Sequence, residues 1–157
     1  MKKDAVISKD NKYRYLLSRT WDDSKPIVAF IGLNPSIADD KIDDPTVNRC
    51  INFAKSWGYG GFYMLNLFAF RATEPKNMFK AESPIGDEND KYILKYSKQV
   101  DKVVCAWGNH GKYKERSTYI FNLINNTYYL KMNKSGEPAH PLYLKANLTP
   151  IQYKELR

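Results

Sequence analysis

The chain has 157 residues, enough for one domain with a real hydrophobic core. With 43% hydrophobic and 27% charged residues it is neither a disordered nor a fibrous polymer, and no run nears the roughly 20 apolar residues of a membrane span. A formal charge of +8 favours a polyanionic partner, and 12 Tyr, 7 Phe and 3 Trp offer faces for stacking on bases, although the lysines would equally serve to keep the surface wet.

The opening segment, MKKDAVISKDNK, lacks the apolar core of a signal peptide. Residues 11–21 are rich in Tyr, Leu and Trp and are expected to form a strand. A turn at Asp22–Lys25 follows, and Pro26 marks the start of the next strand, so the two are expected to pair as an antiparallel hairpin. Residues 27–31, IVAFI, have the length and β-branched content of a buried strand. Gly32 lets the chain leave that strand where a side chain would obstruct it, and Pro35 stiffens the loop in which Asn34 and Ser36 sit. Such a loop marks the carboxyl end of a strand, where open α/β sheets place ligands. The plainer alternative is a turn closed by Asx hydrogen bonding.

Residues 39–44 read as a polar loop. Asp44 is then a helix N-cap and Pro45 the first helical residue, with Val47, Cys50, Ile51, Ala54 and Trp57 as an apolar stripe that Gly58, Gly60 and Gly61 end. Arg49 lies off that stripe, near the loop. Residues 62–70 form a second apolar run, expected as a central parallel strand interrupted by Asn66, and Arg71 to Pro75 reads as its end loop. A helix is expected from an N-cap at Asp87, with Tyr92, Ile93, Tyr96 and Val100 on one face. Residues 102–107 are a strand stopped at Gly108, residues 113–124 a helix, and 127–130 a last strand. Residues 136–143 make a rigid loop into the tail. Cys50 and Cys105 lie in apolar runs without CxxC spacing, which predicts reduced core thiols in a cytoplasmic protein. With two histidines, neither beside a cysteine pair, no metal site and no cofactor is expected.

The alternation predicts one α/β domain over residues 1–157, three layers deep, with a mostly parallel four-stranded sheet and an added N-terminal hairpin strand. Its strand ends bring Asn34, Asn66, Arg71, Trp107 and His140 to one edge. Two amides, a guanidinium, an indole and an imidazole suit a planar, hydrogen-bonding ligand such as a nucleobase. An Asn donates and accepts at once, and a His can stabilise charge on a leaving group. Each residue also has a structural alternative. Asn66 would satisfy a neighbouring backbone, His140 would be an exposed turn residue, Trp107 would be core, and Arg71 would pair with Glu74 or Asp87.

The segments GLNPSIAD, DPTVNRCINFAKSWGYGG, NLFAFRATEP, PIGDEND, AWGNHG and HPLYL together resemble the bacterial and phage family known as domain of unknown function 1643. More distantly, Gly32-Leu33-Asn34-Pro35, Leu65-Asn66 with Arg71, Ala106-Trp107-Gly108 with His110, and His140-Pro141 are similar, in order and spacing, to the motifs of uracil-DNA glycosylases. The first of these has the Asn form of the mismatch-specific branch. The second resemblance implies a glycosylase-like fold in which Asn34 and His140 are catalytic. Asn34 would position the attacking water and His140 would stabilise the departing base anion or grip a phosphate. Asn66 would read the base edge, and Gly32, Leu33, Pro35, Ser36, Asp44, Thr46, Arg49, Phe68, Arg71 and Trp107 would complete the ligand-binding set. The implied partner is a nucleic acid or nucleotide, with no membrane, and the base would be flipped out of its stack. Ser36 stands where the mismatch-specific branch has Gly, and Leu142 and Tyr143 replace the Ser and following residue of its last motif. Acidic Asp39, Asp40, Asp43 and Asp44 flank the first motif. A non-catalytic binding module, or a phage or host interaction factor, therefore stands beside the N-glycosylase as an alternative.

Overall fold

β3 (Ile27–Gly32) is the strand about which the others are arranged, in a computed structural model that describes residues 1–154. Val28 and Phe30 face one side and Ala29 and Ile31 the other, and both sets are fully buried, so helices must cover both faces. On the first side α1 (Pro45–Ser56) supplies Val47, Cys50, Ile51, Phe53 and Ala54. The second side is closed by Met78 of α2 (Pro75–Lys80), Ile93 of α3 (Asn89–Ser97) and Ile120 of α4 (Arg116–Leu123). Fully burying one such apolar side chain contributes roughly 1.5–3 kcal/mol.

The remaining strands are β1 (Lys2–Ile7), β2 (Arg14–Thr20), β4 (Gly61–Asn66), β5 (Val103–Cys105), β6 (Thr127–Tyr129) and β7 (Ile151–Gln152). They form one mixed sheet in the order β1-β2-β4-β3-β5-β6-β7. The stretch β4-β3-β5-β6 is parallel, while β1, β2 and β7 run antiparallel to their neighbours. The expected α/β class and parallel core are therefore present, but the sheet has seven strands among the described residues rather than four plus one. β1 and β7 lie in segments whose short, half-exposed patterns carry little apolar signal.

The expected hairpin is not formed. β2 pairs with β4, from Leu17↔Met64 to Thr20↔Gly61, and β3 pairs with β4 on its other side. The chain threads β4 between two strands that are adjacent in sequence, and Gly60 makes this possible. Its N–H donates to Pro26 O at 2.8 Å, while its carbonyl accepts from Trp21 N and Asp22 N at 2.8 and 3.1 Å. A Cβ at Gly60 would overlap the Asp22 carbonyl, and one at Gly61 would lie 2.6 Å from Arg19 O.

Four further expectations are corrected. The run 62–70 stops being strand at Asn66, because Ala69 N and Phe70 N turn to Ile85 O and Pro84 O. Residues 113–124 are not one helix. A 3-10 segment, Asn109–Glu115, breaks at Lys114 and Glu115, whose φ angles are +52° and +57°, before α4 begins. Pro75, expected as the last residue of a strand-end loop, instead opens α2, where no helix was expected. The third helix starts at Asn89, with Glu88 rather than Asp87 at its cap. Cys50 and Cys105 are buried free thiols, their pKa values raised by burial. No helix among the described residues is long and apolar enough to cross a membrane.

From β3 the chain passes through α1 to β4 on one side, then through α2 and α3 to β5 on the other. The connections thus diverge at the carboxyl ends of β3 and β5, the position at which a doubly wound sheet opens a crevice.

Candidate functional site

A cavity of about 580 Å³ occupies that crevice. Among the residues expected at the site, Gly32, Leu33, Asn34, Pro35, Ser36, Asp44, Thr46, Asn66, Trp107 and His140 line it. Four segments distant in sequence meet there because β3, β4 and β5 end at one level, with Gly32 paired to Asn66 and Ile31 to both Leu65 and Cys105.

Gly32 lies directly beside the Asn66 amide, whose Oδ1 would be 2.9 Å from any Cβ placed there. Asn66 is 2 % exposed, and its Nδ2 has no hydrogen-bond partner among the described residues. A buried amide nitrogen without an acceptor is costly in a folded chain, so this donor invites an acceptor atom. Its backbone is fixed from below by Asn89, at the start of α3, whose Nδ2 donates to Asn66 O and Leu67 O at 2.9 and 3.0 Å.

Asn34 is held differently. Its Nδ2 donates to Ala72 O at 2.9 Å, Pro35 O at 3.1 Å and Phe70 O at 3.5 Å. Three carbonyls around one nitrogen fix the orientation of the amide and leave Oδ1 as its free end, an acceptor.

Trp107 is 1 % exposed, and its Nε1 donates to Glu137 Oε1 at 3.1 Å. The indole is thus a fixed wall of the cavity as well as part of the core. Glu137 is itself buried and also accepts from Ser117 Oγ at 2.9 Å. Asp44 caps α1, its Oδ1 accepting from Val47 N at 2.8 Å.

His140 is half-buried, and its Nδ1 accepts from Leu142 N at 3.3 Å, which leaves Nε2 as the N–H of the neutral ring. Burial holds its pKa below the ordinary 6.5, with the charge of Asp44 acting in the opposite sense.

Three expected site residues do not line the cavity. Phe68 is fully buried against Tyr113, with ring centroids 5.5 Å apart. Arg71 spends its guanidinium on the chain itself, from Nε to Ser36 O, from Nη2 to Ile37 O and from Nη1 to Asn11 Oδ1. Arg49 packs its guanidinium 4.9 Å from the Phe53 ring centroid, with Nε 3.4 Å from Pro141 O. Both arginines hold loops that form the cavity walls.

Sequence reasoning passed over Arg14, Thr73 and Asn109, and named Leu142 and His110 only as motif positions without placing them in the site, yet all of these line the cavity. Arg14 is a charged residue opening β2, which in sequence does not by itself mark a cavity contact. Among the described residues no group of three or more His, Cys, Asp and Glu side chains converges as a metal ion would need. The cavity thus presents the unpartnered amide donor of Asn66, the amide acceptor of Asn34, an indole wall and an imidazole ring.

The family description "Protein of unknown function (DUF1643)" matches the chain over residues 14–142. Comparison with curated proteins found no match, and neither did comparison with solved structures.

Proposed function

We propose, for a chain that belongs to the DUF1643 family and takes no stated activity from it, that the cavity binds a nucleobase or nucleotide and hydrolyses its N-glycosyl bond. In this reading the parallel core is of the uracil-DNA glycosylase type. The observation that carries it is the pairing, in one cavity, of a buried unpartnered donor on Asn66 with the oriented amide of Asn34 and the half-buried His140. Asn66 Nδ2 offers itself to a base oxygen or ring nitrogen. Asn34 Oδ1 accepts a hydrogen bond from a water, aiming its oxygen at the sugar carbon. A C–O bond forms there as the C–N bond breaks, the base leaves with the electron pair, and the water's proton passes to solvent. His140 Nε2–H donates to the base anion as charge develops on it.

A second reading, a binding module without turnover, is favoured by one observation. The acceptor at the water position is a neutral amide with its nitrogen tied to the backbone, so it orients a water but cannot take its proton.

Oligonucleotides containing deoxyuridine, hydroxymethyluracil and other modified bases, assayed for base release, separate the two. Asn34→Ala is expected to lower release by about 100-fold or more, on the scale of losing one oriented group. It should leave affinity for the same oligonucleotide within about threefold. Binding without release from any substrate would favour the second reading. A folded protein that binds none of these ligands would overturn both.

A further inference from the structure

Three arginines are buried among the described residues, and they are not alike. Arg19 is fully engaged, with Nε on Asp43 at 2.7 Å and its other nitrogens on the carbonyls of Asp4, Ser18, Asp39 and Ile42. Arg116 places both Nε and Nη2 on Leu67 O and adds Asp90 at 2.6 Å. Arg14 is 2 % exposed and lines the cavity, yet only its Nη1 is used, on Ala38 O at 2.9 Å. Its Nε is buried without a partner, and its Nη2 makes no hydrogen bond among the described residues.

Nε and Nη2 form the side edge of the guanidinium, two parallel N–H donors spaced to meet two oxygens at once. A buried cation with that edge empty is an expensive arrangement for a chain to keep without a use for it. The carboxylate that acts on it, Asp44, already accepts from Val47 N through Oδ1, and Arg19 and Arg71 add like charge nearby. Thr46 and Val47, in the first turn of α1, line the same cavity, and a helix N-terminus contributes a further positive end.

We propose that Arg14 is a ligand-binding residue whose Nε–Nη2 edge takes an oxyanion, a phosphate or carboxylate group carried by the cavity's ligand. Combined with the nucleobase reading, on which this extension rests, the ligand is a nucleotide held by its base at Asn66 and by a phosphate at Arg14. The phosphate belongs either to a free mononucleotide or to a nucleic-acid strand.

Calorimetric titration of the full chain with uridine, uridine 5′-monophosphate, a deoxyuridine oligonucleotide, inorganic phosphate and phenyl phosphate tests it. The Arg14 Nε–H resonance is followed in parallel by NMR. The monophosphate is expected to bind about tenfold more tightly than uridine, the scale of a charge-assisted hydrogen bond. Arg14→Lys, which keeps the charge but loses the fork, should bring the two within about threefold of each other. The wild-type Nε–H resonance should move with the monophosphate and stay in place with uridine, a readout that needs no folded variant. A resonance that moves only with the oligonucleotide assigns the phosphate to a strand. A resonance that moves with phosphate or phenyl phosphate, while no nucleoside or nucleotide binds, retains Arg14 as an oxyanion site and removes the nucleobase reading. The proposal is overturned by a resonance that no anion moves, by equal binding of uridine, its monophosphate and the oligonucleotide, or by an Arg14→Lys variant that weakens all three in proportion.

Discussion

His140 is one of two histidines that line the cavity, and its surroundings fix the direction in which its own charge state responds to pH. Burial depresses its pKa below 6.5 in the folded chain, while in the unfolded chain it returns to about 6.5. Below that value the unfolded chain binds the proton more readily, so folding stability contributed by the neutral ring is complete above pH 6.5. It declines as pH falls from 6.5 toward the folded pKa. His140→Gln removes this dependence. Melting temperatures of the two proteins should therefore lie further apart, in favour of the wild type, at pH 7.5 than at pH 5. A gap that is constant, or that widens in acid, would mean that the ring is not held neutral by burial. Several of the residues singled out in the sequence do line one cavity. Asn34, Asn66 and Trp107 were legible because each interrupts or ends an apolar run, and His140 because it sits in the loop after the last expected parallel strand. Arg14 was not, because one Arg near the start of a strand looks the same in sequence whether its edge is filled, as in Arg19, or empty.

At the scale of elements, what local pattern could not reveal was partnership. The strands 14–20 and 27–32 were each recognisable, but their separation by six residues made a hairpin the expected pairing. The contrary instruction is written in Gly60 and Gly61, which at the end of α1 read simply as helix terminators. In the folded chain Gly60 passes between the ends of β2 and β3, and its missing side chain is the space in which the Asp22 carbonyl sits. Gly60→Ala is accordingly expected to destabilise the protein by about 2–4 kcal/mol, because the clash is with backbone rather than with a side chain that can rotate away. Gly58→Ala is the control for helix termination. Nothing lies within 4 Å of its Cβ position, although its φ of +83° makes it a strained substitution of ordinary size. Urea titrations in which Gly60→Ala costs no more than Gly58→Ala would remove the threading account. The loop from Ser36 to Asp43 shows the same lesson. Arg14, Arg19 and Arg71, which lie far apart in sequence from it, donate to the carbonyls of Ser36, Ile37, Ala38, Asp39 and Ile42. A stretch expected to be a polar loop is therefore a strapped wall, and Arg71, expected to meet the ligand, is one of its straps.

For the whole molecule the open quantity is how much of the +8 charge meets a partner. Most lysines are exposed, and several stand beside acidic residues in surface pairs, such as Lys76 with Glu74 at 3.7 Å and Lys91 with Glu88 at 3.6 Å. Pairs this exposed contribute little to stability. The acidic loop by the cavity is also partly neutralised from within, since Asp43 is bonded to both Lys3 and Arg19 at 2.8 and 2.7 Å. The net charge of the chain remains +8, and salt dependence separates a ligand held in the cavity from a polymer held across the surface. A nucleic-acid strand lying on Z phosphate contacts releases its counterions, so log K should fall against log salt with a slope of about −0.7Z for a single strand. A mononucleotide confined to the cavity neutralises at most one phosphate group and should show a much shallower dependence. Fluorescence anisotropy of a labelled deoxyuridine oligonucleotide from 50 to 300 mM salt is expected, on about 3–5 contacts, to give a slope near −2 to −3.5. A slope no steeper than that of the mononucleotide would confine binding to the cavity and leave the net charge as a solubility feature. Arg14→Lys should alter affinity in both cases without changing the steep component, because it lies inside the wall rather than on the surface that a strand would track.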